Sequence, residues 1–382
     1  TVRDPPGLVQ DMRGIIMRSR TADNLLLFDI KQFFRSIHLT NRDSMLRLMM
    51  IPSNRFQDIT DTDRVEFDVV REAAIPFGDK AAADYSISAK NKVVLQNQGD
   101  VPINIRKIVI DGLVKDCYVD DGSLLPKEGD DVDAIKHWVV ELLRRGGFTV
   151  KEFLDKSDEG EGKYLGLKWD RKCDLFYMNF KLNLGGTIRG KRQEDDLSIE
   201  GVELLHPLTK REVLRLTCQF YDSAGLGTPL IIGLRILYSQ ICQDTSLGMR
   251  DVLPSEMQVK IKTIVLELLK GKSLGFPRQI VFKGETNIVI FFDGSLSAYG
   301  AVAYAHSVGK GGHLLTSTAK VIGRGKYSPP QSEMAAALLA VRLGNKIKNE
   351  LTDIDINHVI FIGDSQIVLN MIARGRPARM NV

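Results

Sequence analysis

The chain has 382 residues, too many for one ordinary core, so two or three domains are expected; 43% of residues are apolar, enough to pack them all. A net charge of +4 suits a polyanion partner without requiring one. Four scattered cysteines without a CxxC pair (Cys117, Cys173, Cys218, Cys242) argue against a disulfide framework or a zinc knuckle and read as buried thiols of a reducing compartment. No apolar run nears the roughly 20 residues of a bilayer span, and the opening TVRDPPGLVQ lacks signal-peptide character, so a soluble intracellular protein without a membrane partner is expected.

Residues 24–30, NLLLFDI, form a short apolar run closed by a carboxylate, which reads as a buried strand with Asp29 at its exit. Residues 114–125, VKDCYVDDGSLL, read as a hairpin in which Asp-Gly turn chemistry separates two apolar arms, so Asp120 and Asp121 fall at or beside the turn. Adjacent carboxylates repel, and a fold that fixes both generally needs cations. The pair alone proves little, because Asp130-Asp131 and Asp195-Asp196 show that this chain makes such pairs freely. In residues 130–147, DDVDAIKHWVVELLRRGG, helical spacing of Val132, Ile135, Val139 and Leu142 lies between leading acids and a closing Arg144, Arg145 and Gly146. FTVKEF (148–153) and GKYLGLKWD (162–170) read as strands, so residues 1–170 are expected to be an α+β domain with its acids on the sheet.

Residues 171–279 turn helical from Thr209 to about Lys272, with breaks expected at Gly225, Gly227 and Pro229; this is a connector. Residues 280–382 carry a strand NIVIFFDGS, two more around YGAVAYAH and HLLTSTAKVI, a helix over 332–348, a strand HVIFIGD and a helix SQIVLNMI. That order makes a compact α/β unit. No internal repeat or low-complexity tract is present.

Three carboxylates on neighbouring strands, Asp29 with Asp120 and Asp121, are what a two-metal phosphoryl-transfer site requires. DIKQFF, IPFG, YVDD, GGFTVK and YLGLKW stand in the order of the palm motifs of reverse transcriptases, and the chain resembles that family there. CQFYDSAGLGTPLIIGLRILYSQIC is similar to the connector of BEL/Pao-type LTR retrotransposon polymerases, and the resemblance runs from about Leu8 to the end. It implies a multidomain α+β chain: a reverse-transcriptase palm over 1–170, a helical thumb and connection over 171–279, and an RNase H-like α/β domain over 280–382. It implies Asp29, Asp120 and Asp121 as metal ligands and Phe34 as the steric gate against a ribose 2′-hydroxyl. It further implies that Phe77 and Gly78 line the nucleotide and template side, that Lys151 lies near the incoming phosphates, and that Leu165 and Gly166 form the primer grip. The chain departs from the family at Ala83-Asp84, where a proline is usual, and only 28 residues precede Asp29, so fingers strands are expected to be largely missing.

FFDGS, QSEMAAALLAV and FIGDS place Asp293 at the end of one strand, Glu333 at the start of a helix and Asp364 at the end of another strand. These ends can converge on one sheet edge. The arrangement resembles the RNase H fold, whose carboxylates bind two Mg²⁺ and whose substrate is the RNA strand of an RNA–DNA hybrid. A fourth acid and a histidine usual in that family are not reached before Val382, so the domain is expected to be C-terminally incomplete; His306, His313 and His358 show no ligand spacing.

Together the resemblances imply an RNA-directed DNA polymerase with RNase H activity, cut from a retrotransposon polyprotein, using Mg²⁺ with Mn²⁺ as an alternative. Its partners would be an RNA template, a DNA primer, the RNA–DNA hybrid and dNTPs, with a homo-oligomer or other polyprotein products left open. The cytoplasm, including virus-like particles, is the expected location, with nuclear entry allowed. Lys210, Arg211, Arg215 and Arg235 are expected to face phosphates. The rival readings are a domesticated, non-catalytic binding subunit and an enzyme that is a ribonuclease only.

Overall fold

The computed structural model describes residues 7–53, 66–155, 160–181, 187–188, 191–192, 198–203, 207–282, 284–307, 311–323, 325 and 327–375. Two compact units divide the chain: Thr1–Asp11 with Asp23–Asp155, and Met12–Ala22 with Lys156–Val382. Helix α1 (Met12–Thr21) therefore belongs with residues that lie far along the chain.

The first unit is built on strand β1 (Leu26–Lys31), followed by the short helix α2 (Asn41–Ser44), the antiparallel pair β2 (Leu48–Pro52) and β3 (Phe67–Arg71), helices α3 (Ala82–Asn97) and α4 (Ile103–Val114), strands β4 (Cys117–Tyr118) and β5 (Asp121–Leu124), helix α5 (Val132–Arg145) and strand β6 (Thr149–Leu154). The sheet order is β4-β5-β1-β6. Leu25 and Leu27 are buried as well as Leu26, Phe28 and Ile30, so both faces of β1 are covered, which explains why it reads as a continuous apolar run. Leu26, Phe28 and Ile30 are buried with Val94 of α3, Ile105, Val109 and Leu113 of α4, and Ile135, Val139 and Leu142 of α5. Helix α5 matches its expected bounds and is capped by Asp131, whose Oδ1 accepts from the Ala134 amide at 2.9 Å.

The hairpin turns one step earlier than expected. Tyr118 pairs with Asp121 and Cys117 with Gly122, so the turn is Val119-Asp120, with Val119 at φ 59°. Gly122 lies inside β5, opposite Phe28 of β1, and a Cβ there would collide with the Phe28 ring. Glycine serves close packing here, not the turn.

The second unit holds β7 (Glu161–Tyr164), β8 (Leu167–Asp170) and β9 (Leu175–Met178), the pair β10 (Thr187–Ile188) and β11 (Lys191–Arg192), and helices α6 (Ile199–Glu203), α7 (Lys210–Gln219), α8 (Thr228–Gln243) and α9 (Ser255–Gly271). Strand β12 (Phe276–Pro277) joins β9 in the sheet β12-β9-β8-β7. GKYLGLKWD is thus two strands, joined by a tight turn at Leu165 (φ 45°) and Gly166 (φ 86°). This hairpin belongs with the second unit, so the boundary expected at residue 170 falls within a unit that begins at Lys156. Pro229 does not break a helix; it lies in the first turn of α8, where a missing amide costs nothing.

Strands β13 (Thr286–Gly294), β14 (Ala298–Ser307), β15 (Gly311–Val321) and β16 (Ile356–Ile362), with helices α10 (Pro329–Glu350) and α11 (Gln366–Ala373), complete the unit. The sheet order is β15-β14-β13-β16, antiparallel except for the parallel pair β13–β16. The α10 helix packs on it through Ala336, Ala340, Leu343 and Ile347 against Ile288, Ile290 and Ala303. The connector is stitched to this sheet: the Ser317 amide and hydroxyl donate to Gly225 O at 2.7 and 2.6 Å, and Thr316 Oγ1 donates to Ala224 O at 2.8 Å.

The cysteines differ from expectation. Cys117 is buried, but Cys173, Cys218 and Cys242 are exposed, because the first sits in the turn after β8 and the others on outward positions of α7 and α8.

Candidate active sites: two groups of carboxylates

The second group is the more tightly gathered. In the parallel pair β13–β16, Phe291 is in register with Ile362, so Asp293 and Asp364, each two residues further on, leave the same sheet edge. Helix α10 brings Glu333 to them, and two small residues permit it. A Cβ on Gly294 would lie 2.6 Å from the Ser332 carbonyl carbon, and Ser332 Oγ donates to Ser295 O at 2.6 Å. The helix starts earlier than expected, at Pro329 after a Ser328–Gln331 capping box, so Glu333 lies in its second turn rather than at its start.

Ligand atoms of Asp293, Glu333 and Asp364 all lie within 4.8 Å of one another, the one such trio among the described residues. Burial, then Asp293, then Asp364 raise the Glu333 carboxyl above its usual range. Its Oε2 is buried and has no hydrogen-bond partner. An orphaned acceptor between two further carboxylates is a hard-oxygen donor set of the kind that takes a divalent cation, so the residues present fit a metal. A cavity of about 630 Å³ opens beside Asp293 and Asp364, walled by Ile232 and Ile236 of α8 and by Tyr299 and Val302 of the sheet.

The first group is looser. Asp29 and Asp121 are register partners on β1 and β5, and the Ile30 amide donates to Asp120 O at 3.1 Å, which ties the turn to the exit of β1. Burial first, then Asp120 and Asp29, push the Asp121 carboxyl up to about 6, with Lys151 opposing them. Burial likewise raises Asp120, with Asp29 adding and Lys90 opposing. Lys151, expected near the incoming phosphates, is an exposed side chain whose Nζ lies 3.5 Å from Glu152. Phe34 meets Phe77 edge-on with ring centroids 5.6 Å apart, and both line a cavity of about 430 Å³ that also contains Gln32, Arg35, Glu72 and Asp120. Phe77 is 90% exposed and Gly78 has φ 99°. Leu165 and Gly166 lie in the second unit, in the β7–β8 turn, with Gly166 close against Tyr221 and Ser223.

Residues 209–365 match the family described as the Pao retrotransposon-like RNaseH-like domain. The second acid trio lies inside the segment that is similar to that family. The matched segment includes the connector as well as the sheet, in keeping with the hydrogen bonds from Thr316 and Ser317 to Ala224 and Gly225. The chain is similar to the reverse transcriptase and RNase H of BEL/Pao-type retrotransposons, as its motifs indicate. Two solved structures share its fold. One is the foamy viral protease-reverse transcriptase dRH in complex with ds DNA: TM-score 0.56, 14% identity, covering 96% of this chain and 61% of that one. The other is the foamy viral protease-reverse transcriptase in complex with RNA/DNA hybrid: TM-score 0.56, 12% identity, covering 99% of this chain and 48% of that one. This chain therefore spans under two thirds of either. No curated protein matches the sequence.

Several residues escaped the sequence reading. Lys90 is 1% exposed, yet it recurs at helical spacing with the buried Ser86, Ile87 and Val94, a pattern that could have flagged it. Lys210, expected to face phosphates, is instead buried, with Nζ donating to Leu247 O at 3.2 Å; Arg211 and Arg235 are exposed.

Proposed function

We propose that the chain is the palm, connector and RNase H portion of a retrotransposon polymerase, which extends a DNA primer on an RNA template from dNTPs and cleaves the RNA strand of the resulting RNA–DNA hybrid. The observation that carries the reading is the trio Asp293, Glu333 and Asp364, with its orphaned Glu333 Oε2, inside the Pao-type RNaseH-like segment. Mg²⁺, or Mn²⁺ in its place, would activate an attacking oxygen and steady a leaving one at each acid group. Asp293, Glu333 and Asp364 would hold it in one site, and Asp29, Asp120 and Asp121 in the other. In the first site Phe34 would bar a 2′-hydroxyl, Phe77 and Gly78 would flank the nucleotide, and Lys151 would draw in its phosphates. Leu165 and Gly166 would steady the primer strand. The division into 1–170, 171–279 and 280–382 is retained as a functional one.

A second reading, a ribonuclease only, is favoured by one observation: among the described residues the first acids do not gather into a trio within ligand distance as the second do. Crossed variants separate the two. Asp293→Asn is expected to abolish hydrolysis of the RNA strand and spare primer extension, and Asp120→Asn to do the reverse, because each acid set stabilises charge on a different phosphate. Primer extension absent from a folded, metal-loaded wild-type enzyme, with hydrolysis present, would leave the ribonuclease reading; absence of both would favour the non-catalytic subunit.

A further inference from the structure

A helix as short as α1 does not persist alone in water, and Gly14 in its interior weakens it further. It is held by docking on the second unit. Met17, 1% exposed, shares a core with Ile280, with Ile288 of β13, with Leu315 of β15 and with Ile347 of α10. Gly14 is where α1 meets α10, because a Cβ there would collide with the Glu350 carboxyl, to which Arg18 donates. Arg20, 2% exposed, donates from Nη1 to Leu314 O and Leu315 O of β15 at 2.8 Å, and from Nη2 to Pro277 O of β12 at 3.1 Å. In return the Ile280 amide donates to Arg20 O at 2.7 Å, and Arg278 Nη1 donates to Ser19 O at 3.0 Å and to Ala22 O at 2.7 Å. Buried polar groups need such partners, so α1 supplies acceptors and donors that this unit lacks without it. The chain then leaves: Asp23 belongs to the first unit, and β1, which holds Asp29, begins at Leu26.

We propose that α1 is a built-in strap: a segment upstream of the first acid group in the chain that holds together the folded unit of the second, so that the trio Asp293, Glu333 and Asp364 stays assembled only while α1 is docked. Glu350 closes α10 and Glu333 lies in its second turn, so the strap pins the end of that helix remote from the trio. Through Met17 it also closes the core beneath β13, the strand that carries Asp293. The covalent order has a consequence. A cut of the chain between Asp155 and Gly160 would put α1 and the rest of its unit on different fragments, so proteolytic processing at that point would not release an independent second unit. The strap concerns how the unit is held together and requires neither acid group to be catalytic.

Hydrogen exchange of the full chain in rising denaturant, read by mass spectrometry, tests this, because amides that open together share one dependence on denaturant. In the wild type the amides of α1 are expected to open with those of β13, β15 and α10, and not with those of α3, α4 and α5. Opening of α1 with the helices of the first unit, opening ahead of both units, or a single opening of the whole chain overturns the proposal. Two variants test it from the other side. Met17→Ala leaves a cavity in the core, and Arg20→Met withdraws the guanidinium from Leu314 O, Leu315 O and Pro277 O. Each is expected to speed exchange in β13, β15 and α10, the turn around Glu333 included, by at least about tenfold, and to leave α3, α4 and α5 within about twofold of the wild type. Exchange unchanged in the second unit, or accelerated equally in both, overturns the strap. Should neither variant fold, the wild-type measurement decides. Neither readout uses metal or activity, so an inactive wild type would count against the catalytic reading alone.

Discussion

Arg278, with no exposed surface, grips Asp174 with two parallel hydrogen bonds, from Nε to Oδ1 and from Nη2 to Oδ2, both 2.7 Å long. Trp169 Nε1 adds a third donor to Asp174 at 3.0 Å, and Arg278 Nη1 reaches back to Ser19 O and Ala22 O at the end of α1. Beside it Arg20, also buried, donates from Nη1 to Leu314 O and Leu315 O at 2.8 Å. Burial and the Arg278 charge lower Arg20 to about 10, still protonated at neutral pH.

Removing one partner of such a pair leaves an uncompensated charge in the interior. Asp174→Asn is therefore expected to destabilise the second unit by about 3–5 kcal/mol, and Arg278→Lys to lose the fork geometry with it. Denaturant unfolding of the full chain, with the second unit followed through Trp169, measures this. A loss under about 1 kcal/mol, the scale of a surface pair, would contradict it.

Gly225 has φ 73°, and a Cβ on it would strike the Ser317 carbonyl. Gly225→Ala combines a left-handed backbone with a collision at the stitch between connector and sheet, so a cost of about 1–3 kcal/mol is expected. Faster hydrogen exchange at the Ser317 amide, which donates to Gly225 O, is the local readout.

Metal-free stability should depend on pH through Asp121. Its carboxyl is raised from 3.8 to about 6 in the folded chain, so between those values the native state holds the proton more than the unfolded state does. Stability contributed here is present at low pH and lost as pH rises through about 6. Because the side chain keeps solvent access, the effect is screened and expected to stay below about 1 kcal/mol. Asp121→Asn should raise the melting temperature at pH 7 without metal, leave it unchanged near pH 4, and, with Asp293→Asn and Asp364→Asn also present, abolish any gain from added Mg²⁺.

Nucleic-acid affinity should divide the basic residues of the connector. Arg211 and Arg235 are exposed and Arg215 partly so, whereas Lys210 is occupied by Leu247 O. If the three arginines meet phosphates, each alanine substitution should reduce the slope of log affinity against log salt by roughly 0.7–0.9, measured by fluorescence anisotropy on a labelled hybrid. Lys210→Ala should lower stability and leave the slope alone.

The sequence by itself determined the elements and their chemistry. Periodicity marked α5 and the β13–β16 region, and acids after apolar runs marked Asp29, Asp293 and Asp364, because side-chain alternation and capping are short-range properties written in neighbouring residues. Strand β1 nevertheless runs on to Lys31 and leaves Asp29 inside the strand rather than at its exit. Tertiary structure decided which of these meet. Glu333 reaches Asp293 only because Gly294 and Ser332 let α10 approach, and the hairpin turns at Val119-Asp120 because Phe28 occupies the space above Gly122. Lys90 reached the Leu113 carbonyl only when α3 packed against the end of α4, and α1 joined a unit whose other residues begin at Lys156. Arg278 and Ser19 lie 259 residues apart, and no local pattern encodes such a pairing; it is set by burial, which forces each desolvated donor to find an acceptor wherever the fold supplies one.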